Sequence, residues 1–287
     1  MNPVDLIVYT LIGINVVLSF MAFNNMSLFQ KLKFHVGSIK QNKEYYRFIS
    51  SAFLHGDITH LLFNMIALYS FGLVMKYFIG PIEFTVLYFV SLLVGNALAY
   101  FYNKDNNAYS AVGASGAVSG VVFASILFYP FGDIIFIFLP FFPIPSWIFG
   151  ILYLLYTVYG MNKQNDNIGH EAHLGGAVAG VVLAILFDFN AAMANWWLTL
   201  LLLAIPAIIF FINPNKRKSS SSFKMYNEDV KQTKRSVDDL YYNKEFEKEK
   251  ELDALLDKVG KDGLGSLSYS ERKRLDELSN ELNKTKD

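Results

Sequence analysis

Apolar residues dominate seven stretches of this chain, at roughly 4–23, 58–79, 83–102, 113–129, 144–161, 170–187 and 191–212. A bilayer's hydrocarbon core takes about 20 apolar residues as helix, so each stretch predicts a crossing helix. The polar segment 24–56, between the first two, is too long for a tight turn and carries Lys31, Lys33, Lys40, Lys43 and Arg47. Ile79-Gly80-Pro81 and Asn103-Lys104-Asp105-Asn106-Asn107 predict short connections. Residues 130–143 hold Pro130, Asp133, Pro140 and Pro143 among Phe and Ile. They are too short and too proline-broken to cross, and are expected to lie along the interface.

Charge sharpens this picture. The formal net charge is zero, but residues 213–287 hold 17 of the 25 Lys+Arg and 16 of the 25 Asp+Glu. Residues 1–212 keep only 17 charged side chains, far too few to solvate a water-soluble domain of that size. The chain therefore reads as a membrane-embedded part followed by a water-soluble tail. Residues 4–23 lack the basic flank and small-residue cleavage site of a signal peptide, so a retained helix is expected. The absence of cysteine excludes disulfides, thiol chemistry and Cys-ligated metals. The balanced charge of the tail gives no reason to expect nucleic acid as a partner, and nothing specifies an oligomer.

The tail opens at Pro214 with Lys216-Arg217-Lys218 and the serine run Ser219 to Ser222, the composition of a flexible linker. Leu252, Leu255, Leu256 and Val259 follow helical spacing until Gly260, Gly263 and Gly265 interrupt it. Ser268 followed by Glu271 predicts a capping box opening a second short helix with Leu275, Leu278 and Leu282. No catalytic constellation is visible there.

Two apolar stretches carry small residues at intervals of four: Gly116, Gly120 and Ala124 in one, Ala172, Gly176, Gly180 and Ala184 in the other. Small residues along one helical face let two backbones approach closely in lipid. Ser115 adjoins the first stripe and His173 the second, so pairing the stripes predicts a hydroxyl and an imidazole at one depth. Serine is a poor nucleophile until a base takes its proton, which imidazole can do. Gly113 and Gly116 leave the backbone around Ser115 uncrowded, and a helix N-terminus offers free N–H groups to an oxyanion. His60 and Asn64, at i and i+4, share one helical face and can both donate hydrogen bonds. Glu171, two residues from His173, points to a different face, so a Ser–His dyad is expected rather than a triad. The small residues serve plain helix packing whatever the function, Asn64 can equally bond to a neighbouring helix, and an intramembrane histidine can also serve as a packed polar group or an ion path. Metal is the rival use of His55, His60, His170 and His173, but no H-E-x-x-H motif or well-placed intramembrane aspartate completes a site.

Taken together, Gly113-Ala114-Ser115-Gly116, Ala172-His173-Leu174-Gly175-Gly176 and His60-x-x-x-Asn64 resemble the G-x-S-G, A-H-x-x-G and H-x-x-x-N motifs of the rhomboid family of intramembrane serine proteases. Tyr46-Arg47 resembles the aromatic–arginine pair of that family's first loop, and Gly72 fits its glycine on the second span. The resemblance covers about residues 4–187 in consistent order. It implies Ser115 as nucleophile, His173 as general base, and His60, Asn64 and the Ser115 N–H as oxyanion donors. Gly113 and Gly116 would permit the tight geometry, with His55 structural or water-organising; no metal and no cofactor are implied. Two positions depart from the family pattern. Ser119 stands where an aromatic often packs on the catalytic histidine, leaving Tyr109 or Phe123 to hold the ring. Lys76 stands where a glutamate often pairs with the loop arginine, so Arg47 needs another partner or stays solvated.

The expected fold class is an all-α membrane protein. A six-helix rhomboid-like transmembrane bundle would occupy 1–190 and a seventh span 191–212, with a flexible linker at 213–245 and a small helical soluble tail at 246–287. The expected activity is hydrolysis of transmembrane protein substrates inside the lipid bilayer, in a bacterial plasma membrane. The resemblance opens the active site to the outside, whereas the Lys+Arg count of the connections argues for the reverse. The alternatives are a non-catalytic rhomboid-like protein that binds membrane helices, and a proton-conducting channel or transporter.

Overall fold

The computed structural model describes residues 2–136, 139–163, 168–212, 251, 255, 258–259, 265 and 267–284. The expected linker, 213–245, lies outside the described residues. The chain divides into two compact units, Met1–Lys224 and Met225–Asp287.

The first unit opens with α1 (Pro3–Phe23), whose start is set by Pro3 and by the Asn2 side chain accepting from Val4 N. The polar segment that follows is folded, not loose. It forms α2 (Met26–Leu32), β1 (Phe34–His35), α3 (Val36–Asn42) and α4 (Arg47–Ser50), and leads into a 3-10 turn at Ser51–Phe53. Next come α5 (Ile58–Met75), α6 (Pro81–Asn103), β2 (Ser110–Ala111) and α7 (Ser115–Phe128). Beyond α7 lie β3 (Asp133–Phe136), β4 (Leu139–Pro145), α8 (Ser146–Lys163), α9 (His170–Phe187), α10 (Phe189–Ala194) and α11 (Trp196–Ile212).

Among the described residues, α1, α5, α6 and α9 are long and apolar enough to cross a membrane, and α7, α8 and α11 are shorter apolar helices. The fold is thus mainly helical, with two corrections to the all-α expectation. Within and just beyond residues 130–143, β3 and β4 pair antiparallel, with Ile134 opposite Ile144 and Asp133 opposite Pro145. Proline is tolerated there because a two-stranded ribbon has only edge strands. A second small sheet, β1–β2, joins the first loop to the segment before α7, with Phe34 opposite Ala111. The stretch 191–212 also breaks, because α10 ends at Asn195, whose side-chain amide donates to Leu127 O and Ala191 O.

α7 is the centre of the unit, buried from Gly116 to Phe128. Its 14 residues span about 21 Å at 1.5 Å each, less than a hydrocarbon core of about 30 Å. Such a helix is too short to cross the core alone. α6 and α9 pack on it closely, α5 and α8 flank it, and α11 packs on α8 and α9. Asp5 in the first turn of α1 pairs with Lys76, just past the last turn of α5, at 3.1 Å. Both charges suit their helix ends.

In the second unit, α12 (Tyr269–Lys284) opens on the reciprocal bonds of a capping box. Glu271 N donates to Ser268 Oγ and Ser268 N donates to Glu271 Oε2. Leu255, Leu267 and Leu278 form its small apolar cluster, with Val259 and Leu275 against them.

Candidate active site

Ser115 is the first residue of α7, and its setting follows from the glycine two places before it. Gly113 has φ +129°, a conformation that side chains disfavour, and its N–H donates to Ser51 O at 3.0 Å. Any Cβ there would also lie 2.8 Å from Cε1 and Nε2 of His60, so the position needs glycine twice over. Ala114 caps α7 without a side-chain hydrogen bond. By contrast, the starts of α1, α2, α3, α5 and α10 are each capped by a side chain. The first N–H groups of α7 thus have no side-chain oxygen of their own, the condition for offering them to an incoming anion.

The two small-residue stripes meet as the spacing predicts. A Cβ built at Gly176 would overlap Gly116 O, and one at Gly180 would overlap Gly120 O. One at Gly116 would sit 3.3 Å from Ala172 O. This parallel register puts Ser115, one residue before Gly116, level with His173, one residue after Ala172. Both residues are half-buried, as is His60, while Asn64 is buried.

His60 reaches this place from α5. The Asp57 side chain caps α5 by accepting from His60 N at 2.8 Å, fixing where the third helical residue projects. The Asn64 amide donates one N–H to His60 O at 3.0 Å along its own helix. His55 is fully buried behind His60, with ring centroids 5.0 Å apart and edge to face. Its Nδ1 lies 2.9 Å from Ser19 Oγ on α1. Burial, and after it the His60 ring, push the His55 imidazole down to about 3, so it is neutral and acts as a fixed polar wedge.

The residue on His173 is one that sequence reasoning missed. Neither Tyr109 nor Phe123 holds the ring: Tyr153 of α8 does, with its hydroxyl 3.3 Å from His173 Nδ1 and 2.8 Å from Ser119 Oγ. Phe123 instead stacks behind Tyr153, and Tyr109 packs on Phe34. The available signal was the size of Ser119, which leaves room for a ring from elsewhere.

Arg47 is buried and well partnered. It pairs with Glu44 and donates to Gln30 O at 2.8 Å and Lys33 O at 2.7 Å. Burial works to raise the Glu44 carboxyl, but the hydrogen bond and charge of Arg47 outweigh it and the net shift is downward. Asn96 of α6 ties this loop to the site by donating to Phe48 O at 2.8 Å and Ser51 Oγ at 3.4 Å. His35 caps α3 by accepting from Ser38 N at 3.1 Å. Burial, then the charges of Lys33 and Arg47, lower its imidazole to about 4. Among the described residues, no three His, Asp or Glu side chains are placed to hold a metal ion.

Residues 42–188 match the Rhomboid domain, and residues 226–281 match a family of unknown function, DUF6576. The chain is 31% identical over 151 residues to the putative rhomboid protease YdcA of Bacillus subtilis, covering 50% of this chain and 68% of the relative. It is 30% identical over 185 residues to Rhomboid protein 1, mitochondrial, of Saccharomyces cerevisiae, covering 61% of this chain and 51% of that protein. Against RHOMBOID-like protein 12, mitochondrial, of Arabidopsis thaliana it is 28% identical over 176 residues, covering 56% and 51%. The matched region thus spans about half the length of these two mitochondrial relatives.

Proposed function

The chain belongs to the rhomboid family, and from that premise we propose that it is an intramembrane serine endopeptidase working through a Ser115–His173 dyad. The observation that supports this reading is the Gly116–Ala172 approach of α7 and α9, which brings the segments bearing Ser115 and His173 together, with the His60 ring against Gly113. His173 takes the proton from Ser115 Oγ as that oxygen attacks a substrate carbonyl. The oxyanion that forms is held by the Ser115 N–H at the uncapped start of α7, with His60 and the second N–H of Asn64. When the intermediate collapses, the C–N bond breaks and His173 returns its proton to the leaving amine. Water, deprotonated by the same imidazole, then hydrolyses the Ser115 ester.

The substrate class follows from the depth of the site. Amides of a membrane helix are already hydrogen-bonded internally, so a substrate must unwind locally before attack. Small or helix-breaking residues at the cut favour that, and the family resemblance adds a small residue just before the scissile bond. Six spans with α11 as a seventh, in a bacterial plasma membrane, complete the proposal.

The test is cleavage of a helical membrane substrate in detergent, together with fluorophosphonate labelling of the serine. Ser115→Ala and His173→Ala should each abolish cleavage, and Ser115→Ala should also abolish labelling. Wild-type turnover in either variant would refute the assigned role. His60→Ala or Asn64→Ala should slow turnover by about 100- to 1,000-fold with less effect on binding.

A further inference from the structure

Tyr153 reaches from α8 to both α7 and α9. Its oxygen lies between Ser119 Oγ of α7, at 2.8 Å, and His173 Nδ1 of α9, at 3.3 Å. Its ring stacks on Phe123 at 5.6 Å and lies 5.9 Å from Phe149, which is itself stacked at 6.2 Å on Phe71 of α5. We propose that Tyr153 is the positioning residue for the His173 base, and that it makes the base competent only while α8 is docked on α7 and α9. This rests on the reading of Ser115 and His173 as nucleophile and base.

Polar bookkeeping supports the assignment. A base for Ser115 needs a lone pair on the nitrogen facing the serine and a proton on the other one. Nδ1 is the nitrogen that Tyr153 meets, so Nε2 is the one that must accept the serine proton. With Nδ1–H donating to the tyrosine oxygen, the tyrosine O–H donates onward to Ser119 Oγ. This order of donors leaves Nε2 free to accept the serine proton, whereas the reverse order, from Ser119 through Tyr153 to Nδ1, would place the proton on Nε2; the proposal takes the first. Once His173 becomes imidazolium, the same N–H turns into a charged donor and its bond strengthens in the state that needs it.

The identity of residue 119 fits the same logic. Ser119 lies one turn beyond Ser115 on α7, and a larger side chain there would occupy the space that Tyr153 fills. The ring comes instead from α8, the helix that meets α5 through the Phe149–Phe71 stack. Any movement that parts α8 from α5 and lifts it off α7 also carries away the group that orients His173. Catalytic competence and closure of that seam are thus linked through one side chain.

The experiment compares wild type with Tyr153→Phe, Ser119→Ala, Tyr153→Ala and the exchange Ser119→Tyr/Tyr153→Ala. It reads kcat and KM for a helical membrane substrate and the rate of Ser115 labelling by a fluorophosphonate. Tyr153→Phe keeps the ring and should lower kcat and labelling about tenfold, the worth of one hydrogen bond to a charged group. KM should stay within about twofold, since the interaction serves the transition state and not binding. Ser119→Ala should act in the same direction but more weakly. The exchange should recover most of what Tyr153→Ala loses, a rescue that general loss of packing would not give. Wild-type kcat and labelling in Tyr153→Phe, or an exchange no better than Tyr153→Ala, would overturn the positioning role while leaving the protease reading intact. A wild-type protein never labelled at Ser115 would overturn the protease reading, and this inference with it.

Discussion

Two helix seams meet at the candidate site and are built oppositely. Between α7 and α9, backbone lies on backbone: Gly176 faces Gly116 O and Gly180 faces Gly120 O, with no space for a single methyl group. α6 closes on the same pair, since a Cβ at Gly95 would sit 2.6 Å from Ala172 O. Between α5 and α8 the contact is made by aromatic rings, Phe71 on Phe149 at 6.2 Å and 18°. In lipid, where apolar burial drives little association, a glycine-paved seam is held by close packing over its whole length. A ring stack can part and re-form at the cost of one contact. The glycine-paved seam fixes the register of α7 against α9, and with it Ser115 against His173; the ring seam is the softer of the two.

The largest effect should come from breaking the rigid seam. Gly176→Ala places a methyl on Gly116 O and is expected to cost about 1–3 kcal/mol of stability, the usual range for overpacking. It should also abolish cleavage, because α9 must shift and take His173 with it. Thermal unfolding in detergent and substrate cleavage check both, and a fully active, equally stable variant would show that the seam is softer than its packing implies.

A smaller effect should follow from opening the ring seam. Phe149→Ala removes a partly buried stack worth about 0.5–1.5 kcal/mol beyond its area. It should change cleavage of a helical substrate several-fold, while labelling of Ser115 by a small fluorophosphonate changes less. Equal changes in the two readouts would assign Phe149 to the chemistry and not to access.

The mildest perturbation concerns the β1–β2 clasp before α7. The His35 imidazole has a folded value near 4 against an ordinary 6.5, so the unfolded loop binds the proton more readily. Stability from this group is present above pH 6.5 and is lost as pH falls toward 4, when protonated Nδ1 can no longer accept from Ser38 N. Protection factors for hydrogen exchange at Val36 and Gly37, whose amides bond to Tyr109 O and Asn107 O, should therefore fall over that window. His35→Asn, which keeps a cap acceptor without the titration, should flatten the response.

How much of this could be read in advance depended on distance along the chain. The Ser268–Glu271 capping box was legible because both of its bonds close within three residues. The pairing of Gly116, Gly120, Gly176 and Gly180 was legible because small residues at intervals of four mark a face by themselves. Tyr153 was not legible, for it lies 34 residues from Ser119 on a helix with apolar residues on every side. Nothing in such a pattern tells which face turns inward. Arg47 was expected to find another partner or stay solvated, not to lie buried on the carbonyls of Gln30 and Lys33. Nor was the DUF6576 match over 226–281 foreseen, because the tail carries no chemistry-bearing motif.

By itself the sequence determined where the apolar helices run, that Ser268 and Glu271 cap the tail helix, and that Ser115 and His173 border matching small-residue faces. These are local properties, set by hydropathy, by short-range hydrogen bonds and by the backbone freedom of glycine. Only the tertiary structure decided that α7 is short and central, that a strand pair clasps the segment before it, and that the ring on His173 comes from α8. Each of these depends on how helices rotate against one another, and in a chain apolar on all sides that rotation is set by the fit of facing side chains and not by the solvent.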